Sequence, residues 1–325
     1  MRFGIIGTNW ITESFIEAAS EVDGFTLTAV YSRTLDRAEE FAAKFGVEHI
    51  YTDLHEFAGS PEIDAVYIAS PNSLHKEQSI ICMENNKHVL CEKPIASNAS
   101  ELMEMVQVAK EKNVLLMEAL KTTFLPNFLT IRDNLHKIGK IRRYSASYCQ
   151  YSSRYDKYKE GVILNAFRPE FSNGSLMDIG IYTIYPMIAL FGAPSTIKAN
   201  AVMLDSGVDG QGSVLFEYPG MEAVITHSKI VNSYLPAEIQ GEDGTMVIDK
   251  IHTPEKVQIF FKDGTSEDIT VTQKAKSMYY EAAEFINLVE NGQLESSTNS
   301  FANSLYTHRT LDEVRKQIGL KYIAD

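Results

Sequence analysis

The chain has 325 residues, of which 44% are hydrophobic and 22% are charged, and its formal net charge is -13 at pH 7. A chain of this length is expected to form about two domains of roughly 150 residues each. The acidic balance argues against a nucleic-acid binder, because such proteins usually present a basic face to the phosphate backbone. The three cysteines, Cys82, Cys91 and Cys149, are scattered. They predict neither a disulfide framework nor a metal site.

The sequence start, MRFGIIG, leads directly into a strand-like run and lacks the apolar region and cleavage site of a secretory signal. We find no apolar run that approaches the roughly 20 residues needed to span a bilayer. The sequence therefore predicts a cytoplasmic protein that acts on a small molecule, with neither a nucleic acid nor a membrane as its partner.

Short apolar runs alternate with amphipathic segments through the first part of the chain. The runs are RFGIIG, FTLTAVYS, IDAVYIAS and KHVLCEKP. In the last amphipathic segment, Asn98 stands three residues before Glu101 like a helix-capping pair. Alternation of strands and helices predicts a doubly wound parallel sheet. We assign residues 1–120 to this α/β domain, which would bind a dinucleotide.

From about Ile141 the pattern changes to longer alternating stretches separated by turn pairs, as in GSVLFEYPGMEAVITHSKI and AEIQGEDGTMVIDK. This pattern is typical of antiparallel strands joined by hairpins. Three helical segments accompany the strands. Residues 121–325 are therefore predicted to form a second, α+β domain on a large, mainly antiparallel sheet, with the domain boundary near Lys121.

A glycine turn follows the first strand and opens a helix, where a dinucleotide pyrophosphate can bind helix N-terminal amides. Compared with G-x-G-x-x-G, the chain has Asn9 and Thr12 at the later glycine positions. Asparagine can still adopt left-handed backbone angles. A simple turn between strand and helix is the alternative. The candidate cofactor-binding residues of this turn are Gly7, Thr8, Asn9, Trp10 and Ile11.

The end of the second strand normally decides which dinucleotide is bound, because an acidic residue there repels the additional phosphate of NADP. Ser32 and Arg33 stand at this position instead, with Arg37 one helical turn beyond. A guanidinium can bind a phosphate bidentately. The sequence therefore favours NADP(H), with NAD(H) possible, unless these arginines only form a solvated face.

Ligands of open α/β sheets bind beyond the carboxyl ends of the strands. Ser70, Pro71 and Asn72 end one core strand, and His75 follows as a helix cap or supporting residue. Another strand ends in Glu92 and Lys93, and the proline that comes next restricts the backbone of the lysine. An ammonium fixed there can polarise a carbonyl or stabilise an alkoxide. Glu92 would orient or neutralise that charge.

The segment NGSLMDIGIYTIYPMIALFG carries a second polar pair, Asp178 and Tyr182, four residues apart and so on one face of a helix. Gly180 lies between them, and Pro186 cannot donate to the carbonyl of Tyr182. A kinked core helix with one tyrosine facing water is the alternative reading.

In this order, the motifs GIIGTNWI, SPNSLH, EKP, EALKTTFLP and DIGIY resemble those of the Gfo/Idh/MocA family, the glucose-fructose oxidoreductase and inositol dehydrogenase group. The resemblance implies an N-terminal Rossmann domain, a C-terminal open sheet that often makes oligomer contacts, and a nicotinamide-dependent oxidoreductase. Lys93 matches the family's catalytic lysine and Asp178 its active-site aspartate. Tyr182 falls where many members have histidine, which draws the chain toward the glucose-fructose oxidoreductase and dihydrodiol dehydrogenase branches rather than toward inositol dehydrogenases.

Two departures from the family pattern concern the substrate. Asn173-Gly174-Ser175 replaces a common glycine triplet, and Thr123 stands where many members have arginine. Arg168 resembles a family arginine near the ring-binding face, so that Arg168, Asp178 and Tyr182 are the candidate substrate-binding residues.

The resemblance implies hydride transfer between NADP(H), or NAD(H), and the hydroxyl or carbonyl carbon of a sugar, polyol, dihydrodiol or similar molecule. Lys93, Tyr182 and Asp178 would be the catalytic residues, with Tyr182 as proton donor. The C-terminal sheet would join a homodimer or larger homo-oligomer. Two alternatives stay open, a cofactor-sensing regulator without catalysis and a glycosidase-like relative that retains its cofactor.

Overall fold

The structure is a computed structural model that describes all residues, Met1–Asp325. The chain forms two compact units, and each unit uses two stretches of sequence. The first unit contains Met1–Lys121 and Lys274–Phe301, and the second contains Thr122–Gln273 and Ala302–Asp325. The sequence-based division gave each domain one continuous stretch, because no local signal reveals that 274–301 returns to the first unit.

The first unit is built on a six-stranded parallel sheet with the strand order β3-β2-β1-β4-β5-β6. Its strands are β1 (Arg2–Ile6), β2 (Thr26–Tyr31), β3 (His49–Tyr51), β4 (Ala65–Ile68), β5 (His88–Glu92) and β6 (Leu116–Ala119). Its helices are α1 (Trp10–Ala19), α2 (Leu35–Phe45), α3 (Leu54–Gly59), α4 (His75–Glu84), α5 (Ala99–Lys112) and α9 (Tyr279–Glu290). The strand order reverses between β1 and β4, which is where ligands of doubly wound sheets bind.

Local signals explain why these elements form. Every residue of β4 is buried, as expected of a central strand that is covered by helices on both faces. The predicted capping pair is present, since Asn98 accepts from the amide of Glu101 at 2.8 Å and Glu101 accepts from the amide of Ser97 at 2.9 Å. The cap fixes the start of α5 at the carboxyl edge of the sheet, and the helix returns the chain to the amino edge, where β6 begins.

The second unit is built on an eight-stranded sheet with the order β14-β13-β12-β11-β7-β10-β9-β8. All neighbours are antiparallel except β7 and β10. Its strands are β7 (Ile141–Cys149), β8 (Thr196–Met203), β9 (Asp209–Tyr218), β10 (Met221–Ser228), β11 (Ala237–Gly241), β12 (Gly244–Ile248), β13 (Val257–Phe261) and β14 (Ser266–Asp268). Its helices are α6 (Pro126–Asn134), α7 (Ser153–Lys159), α8 (Ile181–Phe191) and α10 (Phe301–Ile318, whose first residue belongs to the first unit). The predicted fold class is confirmed for both units.

One helical stretch of the second unit is long and apolar enough to be compared with a membrane span. The helical stretch Pro169–Phe191 spans 23 residues with a mean hydropathy of 1.3, so by length and composition it could cross a membrane. However, 72% of its apolar window is buried inside the protein, as is usual for a core helix. The stretch is also interrupted, because 3-10 turns and a π-helical turn precede α8.

Candidate active site

The glycine turn after β1 is held against the end of β4. Gly7 has a φ of 104°, and a Cβ at this position would lie 2.6 Å from the carbonyl oxygen of Ala69, so that only glycine fits. Asn9 does not take the left-handed conformation expected of a glycine substitute. It has extended backbone angles and caps α1, accepting from the amides of Ile11 and Thr12, and its side-chain amide donates to Ala69 at 2.9 Å. The sequence pattern missed this role because it aligned Asn9 with a glycine.

Two other residues of this turn differ sharply in exposure. Trp10, the only tryptophan, is 65% exposed at the start of α1. Thr12 is fully buried, and its hydroxyl has no hydrogen-bond partner. The helix end therefore presents a large exposed aromatic ring above a tightly packed first turn.

The two candidate phosphate-binding arginines have different surroundings. Arg37, in the first turn of α2, donates from Nε to the hydroxyl of Thr8 at 3.2 Å and pairs with Glu40 at 2.6 Å. It also donates to the backbone carbonyl of Thr8. Arg33 is exposed directly after Ser32, whose amide donates to Tyr51. Arg37 therefore braces the glycine turn, while Arg33 extends into solvent at the end of β2.

His75 joins the loops that follow β4 and β5. Its ring is fully buried, with Nδ1 2.9 Å from the carbonyl oxygen of Pro94 and Nε2 2.9 Å from that of Ser70. Burial lowers the pKa of His75 to about 4. The hydroxyl of Ser70 also donates to Gln78 at 2.6 Å, and Asn72 is buried in the 3-10 turn after Pro71. This placement suits a residue that holds two loops together.

Lys93 follows the last residue of β5, and the Lys93-Pro94 peptide bond is cis. The preceding Glu92 is buried and accepts a hydrogen bond from the hydroxyl of Tyr67 at 2.6 Å and one from the amide of Lys93 at 3.2 Å. Burial raises the pKa of Glu92, while the charges of Lys93 and Lys121 act against this shift. Glu92 is therefore a buried acid that accepts a hydrogen bond from the backbone of Lys93.

A second buried acid, Glu281, lies within electrostatic reach of Glu92 and Lys121. Glu281 is in the first turn of α9, is completely buried, and has no hydrogen-bond partner on either carboxylate oxygen. Burial, and secondly the charge of Glu92, hold the pKa of Glu281 well above its ordinary value. The sequence analysis missed this residue. The sequence did carry a signal for it: Glu281 stands four residues before Phe285, and so on the same helical face, and Phe285 and the neighbouring Ala282 are both buried.

In the second unit, Asp178 lies in a π-helical turn, Leu176–Gly180, and Tyr182 lies in the first turn of α8. The amide of Ile181 donates to the carbonyl of Leu176, five residues back. The expectation of one kinked α-helix was therefore incomplete, because the irregularity precedes Pro186 and takes the form of a π turn. Such turns are frequent at functional sites.

Strands β9 and β10 hold this π turn. Asp209 Oδ2 accepts from the amide of Leu176 at 2.7 Å, and His227 Nδ1 lies 2.9 Å from the hydroxyl of Ser175. Burial raises the pKa of Asp209 to about 6 and lowers that of His227 to about 3. The 3.7 Å contact between these two side chains is therefore not an ion pair, because the imidazole is neutral. Lys229, which the sequence analysis also missed, pairs with Asp178.

The departure from the glycine triplet has a structural reason. Gly174 has a φ of 144°, and a Cβ there would lie 2.2 Å from Asp209 Oδ1, so this middle position must be glycine. Ser175 instead supplies the hydroxyl that meets His227. Thr123, the other departure, is completely buried.

An aromatic cluster surrounds Tyr182. The rings of Tyr148 and His252 stack with centroids 4.0 Å apart, and Tyr148 meets Tyr182 edge to face at 5.8 Å. Arg168 is exposed, and its Nε donates to the carbonyl of Ile163 in the same loop at 2.9 Å. The second unit thus contains the carboxylate of Asp178, the phenol of Tyr182 and the stacked pair of Tyr148 and His252.

A Rossmann-type sheet with a glycine turn and a lysine after β5 defines a dinucleotide-dependent oxidoreductase. The model of an oxidoreductase family with an NAD-binding Rossmann fold matches residues 1–120, and the GFO/IDH/MocA C-terminal domain model matches residues 131–247. The chain therefore belongs to the Gfo/Idh/MocA oxidoreductase family.

The similar proteins are oxidoreductases that the chain matches over almost its full length. It is 58% identical to scyllo-inositol 2-dehydrogenase (NADP(+)) IolU of Bacillus subtilis, covering 100% of this chain and 99% of that protein. It is 31% identical to trans-1,2-dihydrobenzene-1,2-diol dehydrogenase of Mus musculus, covering 100% and 99%. The structure of KijD10, a 3-ketoreductase from Actinomadura kijaniata in complex with NADP and TDP-benzene, has a TM-score of 0.84 and 25% identity, with 98% of both chains covered. The expectation that Tyr182 separates the chain from inositol dehydrogenases was too narrow, because the 58% identical relative is an inositol dehydrogenase.

Proposed function

We propose that this protein is an NADP(H)-dependent dehydrogenase that oxidises a ring hydroxyl of a cyclitol, with scyllo-inositol as the first substrate to test. The observation that carries the proposal is the 58% identity, over the complete chain, with an enzyme of that activity. The preference for NADP(H) is supported by the end of β2, where Ser32 and Arg33 replace the acidic residue that selects NAD.

The residues of the first unit fit a dinucleotide. Gly7 lets the strand-to-helix turn pack directly against the backbone of Ala69, and Arg33 is exposed at the end of β2, the strand next to β1. We propose that the glycine turn binds the pyrophosphate, that Arg33 binds the additional phosphate, and that the loops after β4 and β5 border the nicotinamide. His75 and Glu92 would position these loops.

Oxidation of a CH–OH group to a carbonyl removes one hydride and one proton. Nicotinamide, when bound, supplies the hydride acceptor. We assign the proton to the hydroxyl of Tyr182, which acts as base in oxidation and as acid in reduction. The ammonium of Lys93 would stabilise the developing alkoxide. Asp178 would accept a hydrogen bond from a substrate hydroxyl, and Arg168 remains a further proposed substrate contact.

A cofactor-consumption assay tests this function. Purified protein is incubated with NADP+ or NAD+ and with scyllo-inositol, myo-inositol, glucose, xylose or a trans-dihydrodiol, and the absorbance of the reduced cofactor is followed. We expect net NADPH formation with scyllo-inositol, and faster turnover with NADP+ than with NAD+. Cofactor binding without turnover of any substrate would instead support the regulator. A tightly retained cofactor with no net consumption would support the glycosidase-like alternative.

We also propose that the protein is cytoplasmic and self-associates through the second unit's sheet. Cytoplasmic location is supported by its three cysteines, which are all free thiols. Self-association is supported by large apolar side chains on strands of the sheet: Val202, Leu215 and Phe260 are each about half exposed. Light scattering at micromolar concentration should report a dimer or larger, and Leu215→Glu should shift it toward monomer. A monomeric wild type would contradict the proposal.

A further inference from the structure

Lys229 is a buried cation that the function described so far does not use. It follows β10, is 4% exposed, and its ammonium pairs with Asp178 Oδ2. The ammonium also lies 5.5 Å from the ring centroid of Phe167. Its backbone is fixed on both sides, since its amide donates to Gly210 at 2.9 Å and its carbonyl accepts from Ser152 at 2.9 Å. Burying a lysine costs free energy unless its charge has a partner. The pairing with Asp178 therefore stabilises this buried position.

Within its own unit, the ion pair of Asp178 is with Lys229. Asp209 accepts a hydrogen bond from the amide of Leu176. The charge of Lys229 changes the pKa of Asp209 less than burial does. His227 is neutral, because burial lowers its pKa to about 3. An adjacent ammonium favours the charged form of a carboxylate. The ion pair thus favours ionised Asp178, whose side chain is still 31% exposed.

The same strand also fixes where Asp178 points. His227 lies near the end of β10, and Lys229 is the first residue after the strand. His227 contacts the hydroxyl of Ser175, and its ring lies 3.2 Å from where a Cβ of Gly180 would be. His227 therefore meets both ends of the π turn, while Lys229 holds the carboxylate in its middle.

We propose that Lys229 is a positioning residue that keeps Asp178 ionised and fixes the direction of its carboxylate. Asp178 then accepts a hydrogen bond from a neutral, hydroxyl-bearing substrate. This inference rests on the proposed function, in which Asp178 contacts the substrate. Without Lys229, Asp178 would protonate at higher pH, and activity would be lost earlier as the pH falls.

The test compares Lys229→Met, which removes the charge, with Lys229→Arg, which keeps it. The matched control is Lys198→Met, because Lys198 lies in the same sheet with 70% of its side chain exposed. The kcat/KM for scyllo-inositol is measured from pH 5 to pH 9 with saturating NADP+. Protonation of the proposed base Tyr182 lowers oxidation at low pH in every variant. The expected difference is that the loss due to Asp178 begins about one pH unit or more higher in Lys229→Met than in the wild type. This loss amounts to roughly tenfold per pH unit, Lys229→Arg largely restores the profile, and the control leaves it unchanged.

Two further measurements separate this role from general damage. Quenching of Trp10 fluorescence gives the Kd for NADPH, which Lys229→Met should leave within about twofold, because Trp10 and Lys229 belong to different units. In an Asp178→Asn background, the added Lys229→Met change should have little further effect. A loss of kcat/KM that is uniform across pH, or an unchanged profile, would overturn the proposal.

If Lys229→Met does not fold, Lys229→Gln and the Asp178→Asn comparison take its place. If the wild type does not oxidise scyllo-inositol, the proposed substrate fails but the Lys229 role does not. The same profiles are then measured with whichever sugar or diol the wild type oxidises. A protein that turns over none of them contradicts both.

Discussion

Two acids, Glu281 in the first unit and Asp178 in the second, have opposite surroundings. In the first unit, Glu281 is completely buried without a hydrogen-bond partner, and burial holds its pKa well above the ordinary value. In the second unit, Asp178 has a lysine beside it, and this lysine is itself almost fully buried. The first acid is stabilised as a neutral group, and the second is stabilised as half of an ion pair.

This difference indicates what each unit contributes to the reaction. The first unit places the ammonium of Lys93 next to Glu92, and a neutral Glu281 adds no second negative charge there. The second unit pairs a partly exposed carboxylate with a lysine, and a carboxylate accepts hydrogen bonds from hydroxyl groups. The unit with the dinucleotide-binding fold thus places a lysine beside buried acids at the end of β5, while the other unit pairs its acid with a lysine.

The largest expected effect concerns whether the two units serve one chemical step. Tyr182→Phe should bind NADPH normally but lose about 10²-fold or more in turnover, because the phenol that moves the proton is gone. Lys93→Met should lose at least as much. If the residues act as one unit, the double variant is little worse than the poorer single variant. Steady-state kcat and the Trp10 fluorescence titration check this.

The matched controls are Tyr306→Phe in α10 and Lys112→Met at the end of α5, which change exposed side chains. Both should retain wild-type turnover. A Tyr182→Phe variant with wild-type turnover and an unchanged pH profile would remove the phenol as proton donor. Strictly additive losses would show that the residues of the two units act in separate steps.

A smaller effect is expected at the cofactor-specific end of the first unit. Arg33→Ala should weaken NADPH binding by roughly 1.5 to 3 kcal/mol, the value of a charge-assisted hydrogen bond, and leave NADH nearly unchanged. Dissociation constants for both cofactors measure this selectivity.

Arg37→Ala is the matched comparison for that prediction. Arg37 is bonded to Thr8 and Glu40, so its loss should disturb the glycine turn and weaken both cofactors alike. If Arg33→Ala also weakens NADPH and NADH equally, Arg33 does not bind the additional phosphate.

Much of the first unit could be predicted from sequence, because its signals are local. The glycine turn, the capping pair at Asn98 and the strand ends all lie within a few residues of the elements that they control. The return of 274–301 to this unit could not be predicted, since its helix has the same amphipathic pattern whichever unit it covers.

Only part of the second unit's site could be predicted, because only part of it lies within one short stretch of sequence. Asp178 and Tyr182 could be found from one short motif. Their supports, Asp209, His227 and Lys229, lie about 30 to 50 residues further along the chain, on strands whose sequence gives no sign of what they face. Glu281 was missed likewise, because its buried neighbour Glu92 is distant in sequence.

The last and smallest effect tests the buried acid of the first unit through stability. A carboxyl whose pKa is raised in the folded state binds a proton that the unfolded chain has already lost, so wild-type stability falls as the pH rises above about 4.5 toward the folded pKa. Glu281→Gln, which is neutral at every pH, removes this contribution. The wild type should therefore lose about 1.4 kcal/mol per pH unit relative to the variant within that window. Urea unfolding at several pH values measures the difference, with Glu290→Gln, exposed at the end of the same helix, as control. Glu92 is present in both proteins, and its interaction with Glu281 is part of the measured difference. If the two proteins differ by the same amount at every pH, Glu281 is ionised in the folded state, and the contrast between the two units does not hold.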